Sequence, residues 1–174
     1  MPQQPDQPGV QRTGRAMLLL AWIAGLVLLT LVFQDVLESG LNPNATPLVQ
    51  AGSDGSEEVV LQRNVQGHYV ADGLINGRRV TFLLDTGATD VAIPDHVADL
   101  LGLRRGQAIT VKTANGNALA FRTRLDSVAL GEMERRDVRA TILSNMPGNE
   151  VLLGMSYLKQ FELLQRGDTL TIRQ

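Results

Sequence analysis

The chain has no cysteine, which excludes disulfide scaffolds, Cys-ligated zinc, iron–sulfur clusters and thiol nucleophiles. That absence does not fix the compartment. It has only 2 histidines, His68 and His96, far apart and in no metal-ligand spacing, so neither a zinc hydrolase site nor any other metal or cofactor is expected. It lacks an excess of positive charge: 16 Lys and Arg stand against 18 Asp and Glu, for a net charge of -2 and a pI near 5.7. Composition therefore implies no basic face for nucleic acid, and no nucleic-acid partner is expected. A glycine-rich phosphate loop and an internal repeat are also missing. The segment Gly154-Met155-Ser156-Tyr157-Leu158 lacks the final glycine of a nucleophile elbow. A length of 174 residues leaves room for one modest domain and an attachment.

What is present is unevenly distributed. Residues 1–15 are rich in Pro, Gln and Gly and read as a disordered tail. Ala16 to Phe33 is an uncharged apolar run that meets the lower end of the length needed to cross a bilayer as a helix. A cleaved signal peptide is the rival reading, but its apolar region is shorter and ends at a small-residue site, which Phe33-Gln34-Asp35-Val36-Leu37 does not offer. An uncleaved anchor is the expectation. Arg12 and Arg15 precede the run, and Asp35, Glu38, Asp54, Glu57 and Glu58 follow it without a Lys or Arg. The positive-inside rule then leaves the amino terminus in the cytoplasm of a single-pass inner-membrane protein and puts the rest in the periplasm. Residues 34–58 read as a flexible acidic tether, with an r.m.s. span of roughly 25 to 30 Å. The sequon Asn44-Ala45-Thr46 is followed by Pro47 and carries no weight.

Residues 59–174 form the expected working domain. Val59 to Val65 and His68 to Ile75 alternate apolar residues, Asn76-Gly77 is a strong hairpin signal, and Arg78 to Leu84 ends in the apolar Phe82-Leu83-Leu84 of a buried strand. Pro94 to Leu101 predicts a short helix with Val97, Leu100 and Leu101 on one side and Gly102 as its cap. Strands are expected at about Gln107 to Thr113 and Ala118 to Leu130, at Asp137 to Leu143, and at Val151 to Leu153. A short helix follows near Ser156 to Phe161, and a last hairpin turns at Arg166-Gly167-Asp168. Many short strands and one or two brief helices indicate a mostly-β barrel or sandwich.

The chemistry candidate stands after the apolar strand, in Leu83-Leu84-Asp85-Thr86-Gly87-Ala88-Thr89. Gly87 lets backbone N–H groups approach the Asp85 carboxylate, and Thr86 brings a hydroxyl. Asp, Thr and Gly are also ordinary turn formers, so the triplet alone is a weak signal. The context is stronger. The LLDTGAT segment, Val91-Ala92-Ile93-Pro94 and the later Val151-Leu152-Leu153-Gly154 keep an order and spacing that resembles the retroviral-type (retropepsin-like) aspartic proteases, and the chain looks like a membrane-anchored bacterial member of that clan.

The resemblance implies a single retropepsin-like closed β-barrel domain with Asp85 catalytic. Thr86, Gly87, Ala88 and Thr89 complete the active-site loop, with Thr86 bonding across a dimer, and Leu153 and Gly154 support that loop from behind. Ala114, Asn115 and Gly116 take the place of the flap, here without Tyr or Trp. Aspartic-protease chemistry needs two carboxylates, and the chain has one such triplet, so a homodimer with Asp85 facing its symmetry mate is expected. The strand Thr169 to Arg173 either joins an intersubunit sheet or pairs within its own subunit. The implied substrate is a protein or peptide, membrane-bound or exported. The alternative function is a non-catalytic membrane-tethered β-domain that binds a peptide or envelope protein.

Overall fold

In a computed structural model the described residues are 8–52, 55–113 and 116–174. They form two units, one ending at Ser39 and one from Gly40 to Gln174. The first consists of helix α1 (Pro8–Leu41) up to that boundary, and along it Leu18, Trp22, Leu26 and Phe33 are exposed. Over Gly14–Leu41 the helix is long and apolar enough to span a membrane, a property that a signal sequence shares.

The second unit is mostly β. Its strands in chain order are β1 (Leu48–Ala51), β2 (Glu57–Gln62), β3 (Val70–Ile75), β4 (Arg78–Leu84), β5 (Val91–Pro94) and β6 (Ala108–Thr113). There follow β7 (Gly116–Leu130), β8 (Met133–Leu143), β9 (Val151–Leu153), β10 (Glu162–Arg166) and β11 (Thr169–Arg173). Helix α2 (Asp95–Leu101) lies between β5 and β6, and α3 (Met155–Leu158) between β9 and β10. A four-stranded sheet has the order β1-β2-β11-β10 and a seven-stranded sheet the order β3-β4-β9-β5-β8-β7-β6. In the larger sheet β3 also meets β7 at Leu74↔Ala129 and Ile75↔Val128, so the pairings return towards their start over two residue pairs. The strands thus sort into two sheets.

The turns explain the registers. Asn76 (φ 50) and Gly77 (φ 75) are both left-handed, as a two-residue primed turn requires, and they pair Ile75 with Arg78. At the β10–β11 turn only Gly167 is left-handed (φ 58), which suits glycine at the first central position. The β8 strand begins at Met133, earlier than the Asp137 expected from sequence, because the turn lies at Gly131-Glu132 and pairs Leu130 with Met133. The charged run Glu134 to Asp137 conceals a strand whose Met133 and Val138 are buried.

Alternation sets the core. Val59 and Leu61 of β2 and Leu170 and Ile172 of β11 turn inward from the small sheet to join Phe82, Ile93, Leu125, Ile142, Leu153 and Tyr157 in one apolar cluster. Helix α2 buries Val97 and Ala98, whereas Leu100 is exposed, contrary to its expected place on the buried side. Gly102 ends the helix in the left-handed region: its N–H bonds back to Asp99 and that of Leu103 to Ala98, a Schellman arrangement. Helix α3 is shorter than expected, and single-turn bonds from Gln160 and Phe161 to Tyr157 and Leu158 complete the segment.

Two further expectations need correction. The tail was expected to be disordered to residue 15, but Pro8–Arg15 is helical, continuous with the apolar run; Met1–Gln7 lie outside the described residues. The tether expected over 34–58 is instead helix to Leu41, followed by strand β1 and the start of β2; Ser53 and Asp54 lie outside the described residues. The cause is a set of polar anchors that hydropathy does not register. Asn44 is 4% exposed; its Nδ2 donates to the carbonyls of Gln62 (2.9 Å) and Val70 (2.6 Å), and its Oδ1 accepts the Gln62 N–H (2.7 Å). Asn64 Nδ2 donates to the Leu41 carbonyl, and Asn42 to Asp72. A buried Asn44 amide is also closed to glycosylation. The open question about the terminal strand has an answer within the chain: β11 lies between β2 and β10, with both edges paired.

Candidate active site

Asp85 follows the last residue of β4 and continues that strand's parallel pairing with β9 by one step, its N–H donating to the Leu153 carbonyl (3.2 Å). The side chain is half-buried. Its Oδ1 accepts the Gly87 N–H at 2.8 Å, and its carbonyl accepts the Ala88 N–H at 3.2 Å, so a tight turn folds over the carboxylate. This is the close backbone approach that a glycine at 87 was expected to allow. Thr86 and Thr89 are exposed, and the Thr86 hydroxyl bonds to nothing among the described residues.

The corner between β9 and α3 holds this loop from behind. Met155 N–H donates to the Ala88 carbonyl (2.8 Å) and Ser156 N–H to that of Thr89 (2.9 Å). The Ser156 hydroxyl accepts the Val91 N–H (3.0 Å) and donates to the Arg139 carbonyl (2.8 Å). Gly154 is needed for want of space: a Cβ there would lie 2.7 Å from the Ala88 carbonyl oxygen and closer still to that of Asp90. Leu153 and Gly154 thus stand against the loop. Sequence reading placed Ser156 only at the start of a short helix and missed this role; its signal was a hydroxyl two residues after the glycine that caps that helix.

In front of Asp85 lies a cleft of about 650 Å3. Asp85, Gly87, Ala88 and Thr89 line one side, Ile109, Val111 and Ala118 of the β6–β7 hairpin another, and Asn145, Met146 and Pro147 a third. Ala92, Leu143 and Leu152 belong to a small apolar cluster beneath it. Of the expected flap, Gly116 is described: it opens β7 with φ 104 opposite Thr113, while Ala114 and Asn115 lie outside the described residues. The cleft takes in two stretches that sequence reading did not assign to it, the alternating Ile109 and Val111 and the loop Asn145-Met146-Pro147.

A second acid, Asp90, also lines the cleft, but it is committed elsewhere. Arg139 lies 3.3 Å from Asp90 Oδ1, close enough for an ion pair although not aligned for a hydrogen bond. Of Asp85 and Asp90, the two acids lining this cleft, Asp85 is the one in no ion pair among the described residues. A cleft with apolar and polar walls and a carboxylate held there by a backbone N–H is suited to proton transfer to or from a bound group.

Comparison with known proteins agrees with this arrangement. Residues 71–160 match the family described as gag-polyprotein putative aspartyl protease, a span that contains both the Asp85 loop and the Gly154 corner. The chain is 35% identical over 145 residues to an uncharacterised protein in the cobV 5′ region of Sinorhizobium sp, covering 81% of this chain and 62% of that protein. It is 32% identical over 109 residues to an uncharacterised protein of Rickettsia prowazekii (strain Madrid E), covering 60% and 46%. It therefore spans less than two thirds of the length of either curated relative. Among solved structures it is similar to a retropepsin-like aspartic protease from Rickettsia conorii, with 29% identity, a TM-score of 0.57 and coverage of 74% of this chain and 95% of that one. The fold is retropepsin-like, and with the matched residues making up more than half of its length the chain belongs to the gag-polyprotein putative aspartyl protease family.

Proposed function

We propose that this chain is one half of a membrane-anchored aspartic endopeptidase in which Asp85 from each of two copies shares one active site. The observation that carries the reading is Asp85 itself: a carboxylate in no ion pair among the described residues, tied to the Gly87 N–H, at the wall of a partly apolar cleft in a chain of this family. Two carboxylates about 3 Å apart cannot both ionise, so a facing pair shares a proton and supplies a base and an acid together. One Asp85 takes a proton from water as the water oxygen bonds to the scissile carbonyl carbon. The protonated Asp85 of the second copy hydrogen-bonds the carbonyl oxygen. The C–N bond then breaks, and the proton passes to the departing amine. The apparent pKa values of such a dyad belong to the pair. The exposed Thr86, with its free hydroxyl, is available to bond across the two-fold axis, and the β6–β7 hairpin is available to cover a substrate.

The apolar run 16–33 is read as an anchor in the inner membrane, with Arg12 and Arg15 keeping the amino terminus in the cytoplasm and the β unit in the periplasm. Substrates are then membrane-bound or exported proteins. Confining copies to one surface raises their effective concentration and favours pairing.

The test is cleavage of a peptide library by the full chain in detergent at several enzyme concentrations, beside Asp85→Asn. Expected is activity that rises faster than linearly with enzyme at low concentration and is lost in the variant. No cleavage from a folded, dimeric sample, or cleavage that Asp85→Asn retains, overturns the reading; the first outcome favours a non-catalytic peptide-binding domain. A periplasm-dependent reporter fused after Gln174 that stays inactive overturns the topology.

A further inference from the structure

The cleft shares part of its wall with a second hollow that the proposed chemistry leaves unused. Asp90 and Arg122 line both, and the second, of about 630 Å3, is walled by Arg104, Arg105, Arg124 and Arg139. The two share one sheet face. Ala118, Ala120, Arg122 and Arg124 are alternate residues of β7 and so point the same way. Across from them on β8, Leu143 pairs with Ala120, Thr141 with Arg122 and Arg139 with Arg124. The face therefore changes from apolar to basic along a single strand, roughly 7 Å for each successive same-face residue.

Most of these guanidinium groups are already matched. Arg105 bonds Asp95 (2.6 Å) and Asp99 (2.8 Å), which hold it above its ordinary pKa, and Arg139 has Asp90 at 3.3 Å. Arg124 lies opposite Arg139, a repulsive placement across a strand pair, and is offset by Asp137. Arg104 and Arg122 have no carboxylate partner among the described residues. In a chain of net charge -2, five arginines thus face one hollow and two of them keep free forks. A planar guanidinium fork matches a carboxylate, and the wall shared with the cleft at Arg122 makes the carboxylates of a bound peptide the fitting occupant.

We propose that this basic hollow extends the substrate groove and receives acidic side chains, so that cleavage favours peptides with Asp or Glu displaced from the scissile bond. The inference rests on the endopeptidase reading. The two-fold axis of that reading repeats the hollow, so the preference applies on both flanks. An extended peptide presents alternate side chains to one face, and an acid set off from the bond by that alternation meets Arg122 and Arg104.

The test uses the full chain in detergent and peptides that differ only in their flanks: Asp and Glu, Asn and Gln, or Lys. Expected is a kcat/KM about two- to fivefold higher for each correctly placed acid than for its amide, as for other exposed ion pairs, shrinking towards unity at 1 M salt. Combined Arg104→Glu and Arg122→Glu is expected to reverse the order, so that Lys flanks are cut faster than acidic ones. Equal rates for all flanks in the parent chain, or an unchanged order in the variant, overturns the inference and leaves the endopeptidase reading in place. If no peptide is cut, that reading fails and binding decides: fluorescence anisotropy of the same peptides on Asp85→Asn either shows the acidic preference, weakened by Arg122→Gln, or overturns the inference. Loss in the charge-reversed variant of binding to phosphatidylglycerol vesicles, with no effect on peptides, also overturns it.

Discussion

Asn44→Ala is expected to destabilise the β unit by about 3 kcal/mol, although residue 44 lies in a stretch whose sequence reads as linker. The side chain makes three hydrogen bonds, to the carbonyls of Gln62 and Val70 and from the Gln62 N–H, at 2.6 to 2.9 Å and almost wholly out of water. Each is worth about 1 kcal/mol net, and truncation leaves the backbone groups of β2 and of Val70 without partners, which costs more than the bonds alone. At about 3 to 4 °C per kcal/mol for a unit of this size, thermal melting of the full chain in detergent should fall by about 10 °C. Asn44→Asp sharpens the test, because it keeps the shape and loses both donors. The introduced carboxylate faces two carbonyl oxygens, so its folded pKa is raised above its unfolded value of about 3.9. The folded state then holds the proton more tightly. The variant is least affected below about pH 4, and it loses stability as pH rises from there through the raised folded pKa. An Asn44→Ala chain that melts within about 2 °C of the parent, or an Asn44→Asp chain whose melting follows the parent's at every pH, refutes this account of residues 40–58.

Gly154→Ala places a Cβ 2.7 Å from the Ala88 carbonyl oxygen; it should cost about 1 to 3 kcal/mol in thermal melts and lower kcat more than it alters KM, because the Asp85 loop must move. Ser156→Ala leaves the Val91 N–H and the Arg139 carbonyl without their hydroxyl partner, with an expected loss of about 2 kcal/mol by chemical denaturation. Soluble chains beginning at Gly40 and at Val59 should differ: the shorter lacks β1 and the Asn44 bonds, and is expected to melt lower by at least the Asn44→Ala shift.

What the sequence revealed and concealed follows from which forces leave a local mark. The Asn76-Gly77 and Gly167 turns, the apolar end of β4 and the Gly102 cap were legible because each is fixed by the conformational range of one or two residues. The Asp85 loop was a weak signal as a triplet alone and was singled out, with the Gly154 corner, through the resemblance of LLDTGAT and Val151-Leu152-Leu153-Gly154 to the retropepsin-like motifs. Residues 42–51 were not legible, since Asn42 and Asn44 do their work through partners at Asp72, Gln62 and Val70, and a buried asparagine resembles an exposed one in composition. The basic hollow was hidden for the same reason: its arginines come from three separated places in the chain, Arg104-Arg105 before β6, Arg122 and Arg124 on β7 and Arg139 on β8, and sequence does not show that they line one hollow.

The position of β11 constrains how two copies can meet. A terminal strand that serves only an interface can be removed to leave a folded monomer, but β11 is interior to its sheet, paired with β2 from Thr169 to Arg173 and with β10 over the same residues. It also buries Leu170 and Ile172 in the main cluster. Burying two such side chains stabilises by about 3 to 6 kcal/mol, comparable with the 5 to 15 kcal/mol that keeps a whole domain folded, and the ladder bonds to two neighbours add to it. Deletion of Thr169–Gln174 is therefore expected to unfold the β unit, which far-UV circular dichroism and proteolysis would register, instead of yielding a folded monomer by sedimentation. A folded, monomeric product would mean that β11 belongs to a partner's sheet. If unfolding is found, the proposed dimer has to form through other surfaces, with the exposed Thr86 loop and the unpaired edges of β1, β6 and β10 left free for it.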